Sequence, residues 1–190
     1  MNFLAHLWLA DRADANLAGA VLGDLVRGRA LEDWPEQVAY SIRLHRAIDA
    51  ATDRHPVIVA ARGGFVPGQR RYAGIVLDMV CDHLLSLQWA ELNAEPLPRF
   101  TRRMSEAIAA DAALFTQAGA NAPEVTRFDA LLRGYARADG IDQALRRIST
   151  RLRKPEGLLL AARDWQQHAE RLAPALPTLL YDLSRVTPSR

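Results

Sequence analysis

Five histidines are spread over this chain, and four of them, His6, His45, His55 and His83, lie in its first half. Aspartates accompany them at helical spacing. His45 and Asp49 are four residues apart, and so are Asp78 and Asp82, which His83 follows directly. Residues four apart on a helix share one face. Val38 and Ile42 lie on the face of His45 and Asp49, so that face points inward. Asp78 and Asp82 sit within Gly74-Ile75-Val76-Leu77-Asp78-Met79-Val80-Cys81-Asp82-His83-Leu84-Leu85, and Asp24 within Val21-Leu22-Gly23-Asp24-Leu25-Val26. A carboxylate in apolar surroundings must be paired, protonated or bound to a cation. Histidine and aspartate together make a mixed nitrogen and oxygen donor set, which suits Mn²⁺, Fe²⁺, Zn²⁺ or Mg²⁺. One such ion polarises a phosphoryl oxygen and generates hydroxide near neutral pH, and two clamp the attacking and leaving oxygens. A His/Asp pair at this spacing also suits a local salt bridge; the joint occurrence of several favours metal.

Arg27 follows Asp24 by three residues, and Arg46 adjoins His45. A guanidinium binds phosphate oxygens through two parallel hydrogen bonds. Asp53 and His55 fall at a helix end. His168 lies one turn after Trp165 and reads as a packing residue. The cluster Arg146, Arg147, Arg151, Arg153 and Lys154 reads as a solvated face or as contact for an acidic partner. No Walker-type glycine loop and no serine in a nucleophile elbow is present.

These side chains need helices to carry them. Strand patterns are nearly absent, and apolar residues recur at helical spacing throughout. Prolines and glycines mark breaks that divide the chain into about eight helices. They lie near residues 2–10, 16–26, 34–53, 72–92, 99–115, 124–137, 141–152 and 156–181, with a short further segment after Pro56. The last should break at Pro174 and Pro177. The expectation is an all-α fold, a single-domain helical bundle over 1–190. Its metal-site half covers about 1–93 and a helical C-terminal half about 98–185.

With 190 residues, 49% of them hydrophobic, the chain can bury a core unaided. Cys81 is the only cysteine, so no internal disulfide framework exists. The opening residues lack a signal-peptide pattern and no run is apolar enough for a membrane span, so a cytoplasmic protein without a membrane partner is expected. The net charge of +2 does not call for nucleic acid. Twenty-three of the 24 basic residues are arginine, with Lys154 the one lysine.

Several segments in order carry a family pattern. They are Asn2-Phe3-Leu4-Ala5-His6-Leu7, Gly23-Asp24-Leu25-Val26-Arg27-Gly28, Leu44-His45-Arg46-Ala47-Ile48-Asp49, Thr52-Asp53-Arg54-His55-Pro56 and Arg71-Tyr72-Ala73-Gly74-Ile75-Val76-Leu77-Asp78 running into Asp82-His83-Leu84-Leu85. In order and spacing the first half resembles the acyl carrier protein phosphodiesterase family. The second half is compatible in length and helicity. Leu25 and Leu85 depart from the pattern, and Asp82-His83 reverses the adjacent His-Asp order of HD domains.

The resemblance implies a distorted HD-domain-like phosphohydrolase. Such an enzyme removes 4′-phosphopantetheine from the serine of holo acyl carrier protein with a divalent ion, typically Mn²⁺. It implies Asp24, His45, Asp49, Asp78 and Asp82 as metal residues, and His6, Asp24 and His83 as catalytic residues. It also implies acyl carrier protein as the partner, and the neighbouring Arg27 and Arg46, read from their own chemistry, are the substrate-contact candidates. The residues alone also admit a metal phosphohydrolase acting on a nucleotide or other small phosphodiester. A further reading is a non-catalytic helical module that grips an acidic partner.

Overall fold

The computed structural model describes residues 2–28 and 30–188. Among the described residues there are thirteen α-helices and no strand. The first half holds α1 (Phe3–Arg12), α2 (Leu17–Leu22), α3 (Glu36–Arg54), α4 (Pro56–Gly63), α5 (Ala73–Leu87) and α6 (Trp89–Leu92). The second half holds α7 (Leu97–Ala110), α8 (Ala112–Gln117), α9 (Val125–Gly134), α10 (Ala138–Ser149), α11 (Pro155–Ala161), α12 (Trp165–Leu172) and α13 (Leu176–Leu183).

The all-α expectation holds, with more and shorter helices than the periodicity predicts. The expected helix near 16–26 ends at Leu22 and gives way to turns carrying Asp24. The expected helix near 156–181 breaks at 162–164 as well as around Pro174, where a 3₁₀ turn (Ala173–Ala175) intervenes. Proline removes a backbone donor and collides with the preceding turn.

α5 is largely apolar and lies centrally, packing against α1, α4, α10, α11, α12 and α13. Its Val76, Met79, Val80, Cys81, Leu84 and Leu85 join one continuous core that runs from Leu4 in α1 to Leu183 in α13. Burying such side chains stabilises by about 1.5–3 kcal/mol each. Cys81 is buried, and burial pushes its thiol up to about 12, as for a packing residue.

α2 and α3 approach each other closely. A methyl group on Gly19 would stand 2.7 Å from Cβ of Ser41, and one on Gly23 would stand 2.3 Å from Cγ of His45. The Asn16 side chain accepts from the backbone N–H of Gly19 at 2.7 Å and so caps α2. Ser41 Oγ donates to the Asn16 carbonyl at 2.6 Å, tying the start of α2 to α3. Arg103 in α7 grips both carboxylate oxygens of Asp11 at 2.7 and 3.0 Å and also Glu95, fastening the end of α1 to the second half. No helix of the described residues is long and apolar enough to cross a membrane.

Candidate metal centre

Three helices deliver one cluster. α1 brings His6, α3 brings His45 and Asp49, and the turn after α2 brings Asp24. Asp49 stands between the two imidazoles. Its Oδ1 lies 3.0 Å from His6 Nε2, and its Oδ2 lies 3.2 Å from His45 Nε2. Asp24 Oδ1 lies 3.3 Å from the same nitrogen of His45. The two rings stack at 3.9 Å between centroids, with planes 19° apart. His6 and His45 are buried, while the side chains of Asp49 and Asp24 are 42% and 58% exposed. The cluster therefore has a closed imidazole floor and an open carboxylate rim.

His45 Nδ1 lies 2.8 Å from the carbonyl of Ala20. Both ring nitrogens thus face oxygen acceptors, and a neutral imidazole has only one N–H to offer. Burial alone would lower the pKa of His45, but the hydrogen bonds to Asp24 and Asp49 outweigh it and raise the group to about 9. His6 differs. Burial lowers it to about 4 against the opposing hydrogen bond to Asp49, so it is neutral at pH 7. Its Nδ1 is buried with no hydrogen-bond partner among the described residues. Burial pushes Asp49 upward, but its hydrogen bonds to His45 and His6 hold it well below the usual carboxylate range. Asp24 is likewise held low, by His45 against burial.

This arrangement fits a divalent cation. One ligand atom each from His6, His45 and Asp49 lies within 4.8 Å of the others. The Ala20 carbonyl fixes the tautomer of His45, which points Nε2 at the carboxylates; such outer contacts orient metal-binding imidazoles. In the absence of a cation, the proton on Nε2 balances the two carboxylates. His6, His45 and Asp49 could hold the ion, with Asp24 beside His45 at the rim.

The remaining candidate residues divide. Asp78, on α5, is pushed up by burial and further by the nearby charges of Asp49 and Asp53, so it borders the same acidic zone. Asp82 is fully buried and accepts from the backbone N–H groups of Leu4 at 2.8 Å and Ala5 at 3.1 Å. It thereby closes the N-terminus of α1 from another helix. Burial pushes its pKa up to about 7 against those two donors. His83 projects elsewhere. Its Nδ1 lies 2.7 Å from the Tyr135 carbonyl, and its ring edge meets Trp165 at 4.9 Å. Among the described residues, the group that could hold an ion includes none of Asp78, Asp82 and His83.

Arg46 Nη2 donates to the Val26 carbonyl at 2.7 Å, bracing the turn that carries Asp24. Arg27 is exposed. Asp53 pairs with Arg62, His55 caps α4 and meets Asp182 at 3.2 Å, and His168 stacks on Phe65 at 3.9 Å. Sequence reasoning missed Gly23 and the Ala20 carbonyl. The Gly19–Gly23 spacing was the available signal for the close approach of α2; nothing in the sequence signals the carbonyl.

Comparison with known proteins gives a consistent picture. The family model for acyl carrier protein phosphodiesterase matches residues 1–183. A protein of that name from Enterobacter sp. (strain 638) is 36% identical over 173 residues, 90% of either chain. One from Klebsiella pneumoniae (strain 342) is 34% identical over 173 residues, again 90% of each. One from Photorhabdus laumondii is 47% identical over 92 residues, 48% of this chain and 46% of the relative. That shorter match is more similar than the longer ones. No solved structure matches the chain. The chain belongs to the acyl carrier protein phosphodiesterase family.

Proposed function

We propose that this protein hydrolyses the phosphodiester joining 4′-phosphopantetheine to a serine of holo acyl carrier protein, and that it does so with a divalent ion, most simply Mn²⁺. The observation that carries the chemistry is the single carboxylate of Asp49 held between the Nε2 atoms of His6 and His45. The family to which the chain belongs carries the substrate class.

Water adds to phosphorus, the bond from phosphorus to the serine oxygen breaks, and the serine leaves as the alcohol. The products are apo carrier protein and 4′-phosphopantetheine. When bound, the ion polarises the phosphoryl group and lowers the pKa of water. His6, His45 and Asp49 would hold it, on a floor closed to solvent.

Asp24, more exposed and held ionised by His45, orients the attacking water from the open side. Asp78, whose charged form burial and the charges of Asp49 and Asp53 disfavour, borders the cluster. Arg27 stands exposed three residues beyond Asp24 and is available to the non-bridging oxygens. Arg46 acts through the Val26 carbonyl, holding the Asp24 turn in place. To Asp82 and His83 we assign the anchoring of α1 and of the Tyr135 segment rather than catalysis. We read residues 1–190 as a single helical domain of HD-like kind, and a family match over residues 1–183 supports that reading.

The test is incubation with holo acyl carrier protein and Mn²⁺, with a chelator control, following the mass of the carrier protein. Metal-dependent loss of the phosphopantetheine mass is the expected result. Intact carrier protein together with stoichiometric Mn²⁺ binding would remove the substrate and leave a metallohydrolase of other phosphodiesters. No hydrolysis and no metal binding would sink the enzyme reading.

A further inference from the structure

A cavity of about 480 Å³ opens beside the metal centre, and Asp24 belongs to its wall as well as to the cluster. Most of the wall is apolar. Phe3, Val21, Phe115, Leu131 and Ile148 form it, drawn from α1, α2, α8, α9 and α10. Polar groups are few. They include the amides of Asn2 and Asn121 and the hydroxyl-bearing Tyr135. Arg147 and Arg151 complete it from α10 and the turn beyond, and both are exposed. Asn2 Nδ2 lies 3.2 Å from Tyr135 Oη, which fixes the relation between the start of α1 and the end of α9 at this wall.

Nothing in the hydrolytic chemistry uses this space. Its size is that of a small-molecule site, and its lining, largely apolar with a few convergent polar groups, is the usual composition of one. Its position restricts the occupant. Because Asp24 belongs to both, a molecule in the cavity lies next to a phosphorus held at the His6, His45 and Asp49 cluster. Of the two groups on that phosphorus, the folded carrier protein is far too large for a cavity of about 480 Å³, which leaves the smaller one.

We infer that this cavity binds the pantetheine arm and so positions the phosphodiester for attack. The inference rests on the phosphodiesterase reading above. The arm is uncharged beyond its phosphate and alternates alkyl segments with two amides. Alkyl segments match Phe3, Val21, Leu131 and Ile148, and amides match the side-chain amides of Asn2 and Asn121. Arm contacts made away from phosphorus orient the reacting group, which converts binding energy into rate. Ile148 and Leu131 would then be specificity residues of the reaction.

The test uses free pantetheine, which lacks the phosphate and so reports on the cavity alone. The full chain, isotopically labelled, is titrated with pantetheine and followed by NMR. Shifts concentrated at Val21, Leu131, Tyr135 and Ile148 are expected, and their loss in Ile148→Trp. In hydrolysis of holo carrier protein, Ile148→Trp is expected to raise KM about tenfold or more with Mn²⁺ affinity unchanged. Leu131→Trp serves if Ile148→Trp does not fold, and far-UV circular dichroism decides that. No pantetheine shifts up to millimolar concentration, or shifts elsewhere, would overturn the inference even if hydrolysis proceeds. Pantetheine binding in the cavity without hydrolysis of the carrier protein would leave the inference standing and sink the phosphodiesterase reading.

Discussion

At His45, two carboxylates and a carbonyl converge on one buried ring, and its proton does the work that a cation would do in the loaded protein. Asp49 is the residue whose loss should be most informative, because among the described residues it is the carboxylate that touches both imidazoles. Asp49→Asn keeps the size and one acceptor but removes the charge. We expect activity to fall about 100-fold or more, with Mn²⁺ affinity weakened by at least about tenfold. Calorimetric titration with Mn²⁺ reads the second effect separately. Unchanged affinity would exclude Asp49 from the metal set.

Asp82 makes a different prediction. Its side chain titrates near 3.8 when unfolded and at about 7 when folded, because burial disfavours the charge. Between those values the folded state holds more proton than the unfolded one. The contribution of this group to stability is therefore greatest below about pH 4 and declines as pH rises through about 7. Asp82→Asn cannot ionise, so the difference in stability between wild type and variant should shift in the variant's favour across that interval. Chemical denaturation at pH 4.5 and 7.5 measures it. Asp82→Ala should cost about 1–3 kcal/mol at either pH, because the N–H groups of Leu4 and Ala5 lose their acceptor.

Between elements, the short distance from α2 to α3 places Asp24 within reach of His45. Gly23 has ordinary helical backbone angles, so it is required for space and not for conformation. Gly23→Ala would put a methyl group into the His45 ring, 2.3 Å from Cγ. We expect a loss of about 1–3 kcal/mol of stability from overpacking. Displacement of the Asp24 turn should also weaken Mn²⁺ binding. A thermal scan with and without Mn²⁺ reads both. Full wild-type stability together with full metal affinity would show that the ring moves aside freely.

Across the whole molecule, one core joins both halves, from α1 to α13, and the metal centre lies at its edge. Chelation should therefore leave the chain folded. The metal adds stability by mass action, about 2.7 kcal/mol at a concentration 100 times Kd. A cooperative thermal transition that persists in chelator and moves up with added Mn²⁺ is the expected outcome; unfolding on chelation would make the metal structural. Acyl carrier proteins are acidic, and Arg147 and Arg151 are exposed beside the cavity. The apparent KM for holo carrier protein should rise with ionic strength, with kcat affected less. A KM indifferent to salt would count against an arginine-lined approach.

The sequence by itself determined the helical class, because apolar spacing and proline placement are local properties. It also determined which residue types were chemically costly: His45, Asp49, Asp24, Asp78 and Asp82 all stood out by their apolar surroundings, while His6 entered through the family pattern. Tertiary structure alone decided their division. Asp78 and Asp82 share a helix face, yet Asp78 borders the acidic zone while Asp82 is taken up by backbone donors of α1. His83, one residue on, projects about 100° around the helix from Asp82 and meets Tyr135 instead. Nor could helical periodicity reveal the turn at Asp24, the Ala20 carbonyl behind His45, or the cavity lined by five separate helices. Each of these depends on which elements meet, and that is settled by the packing of the core as a whole.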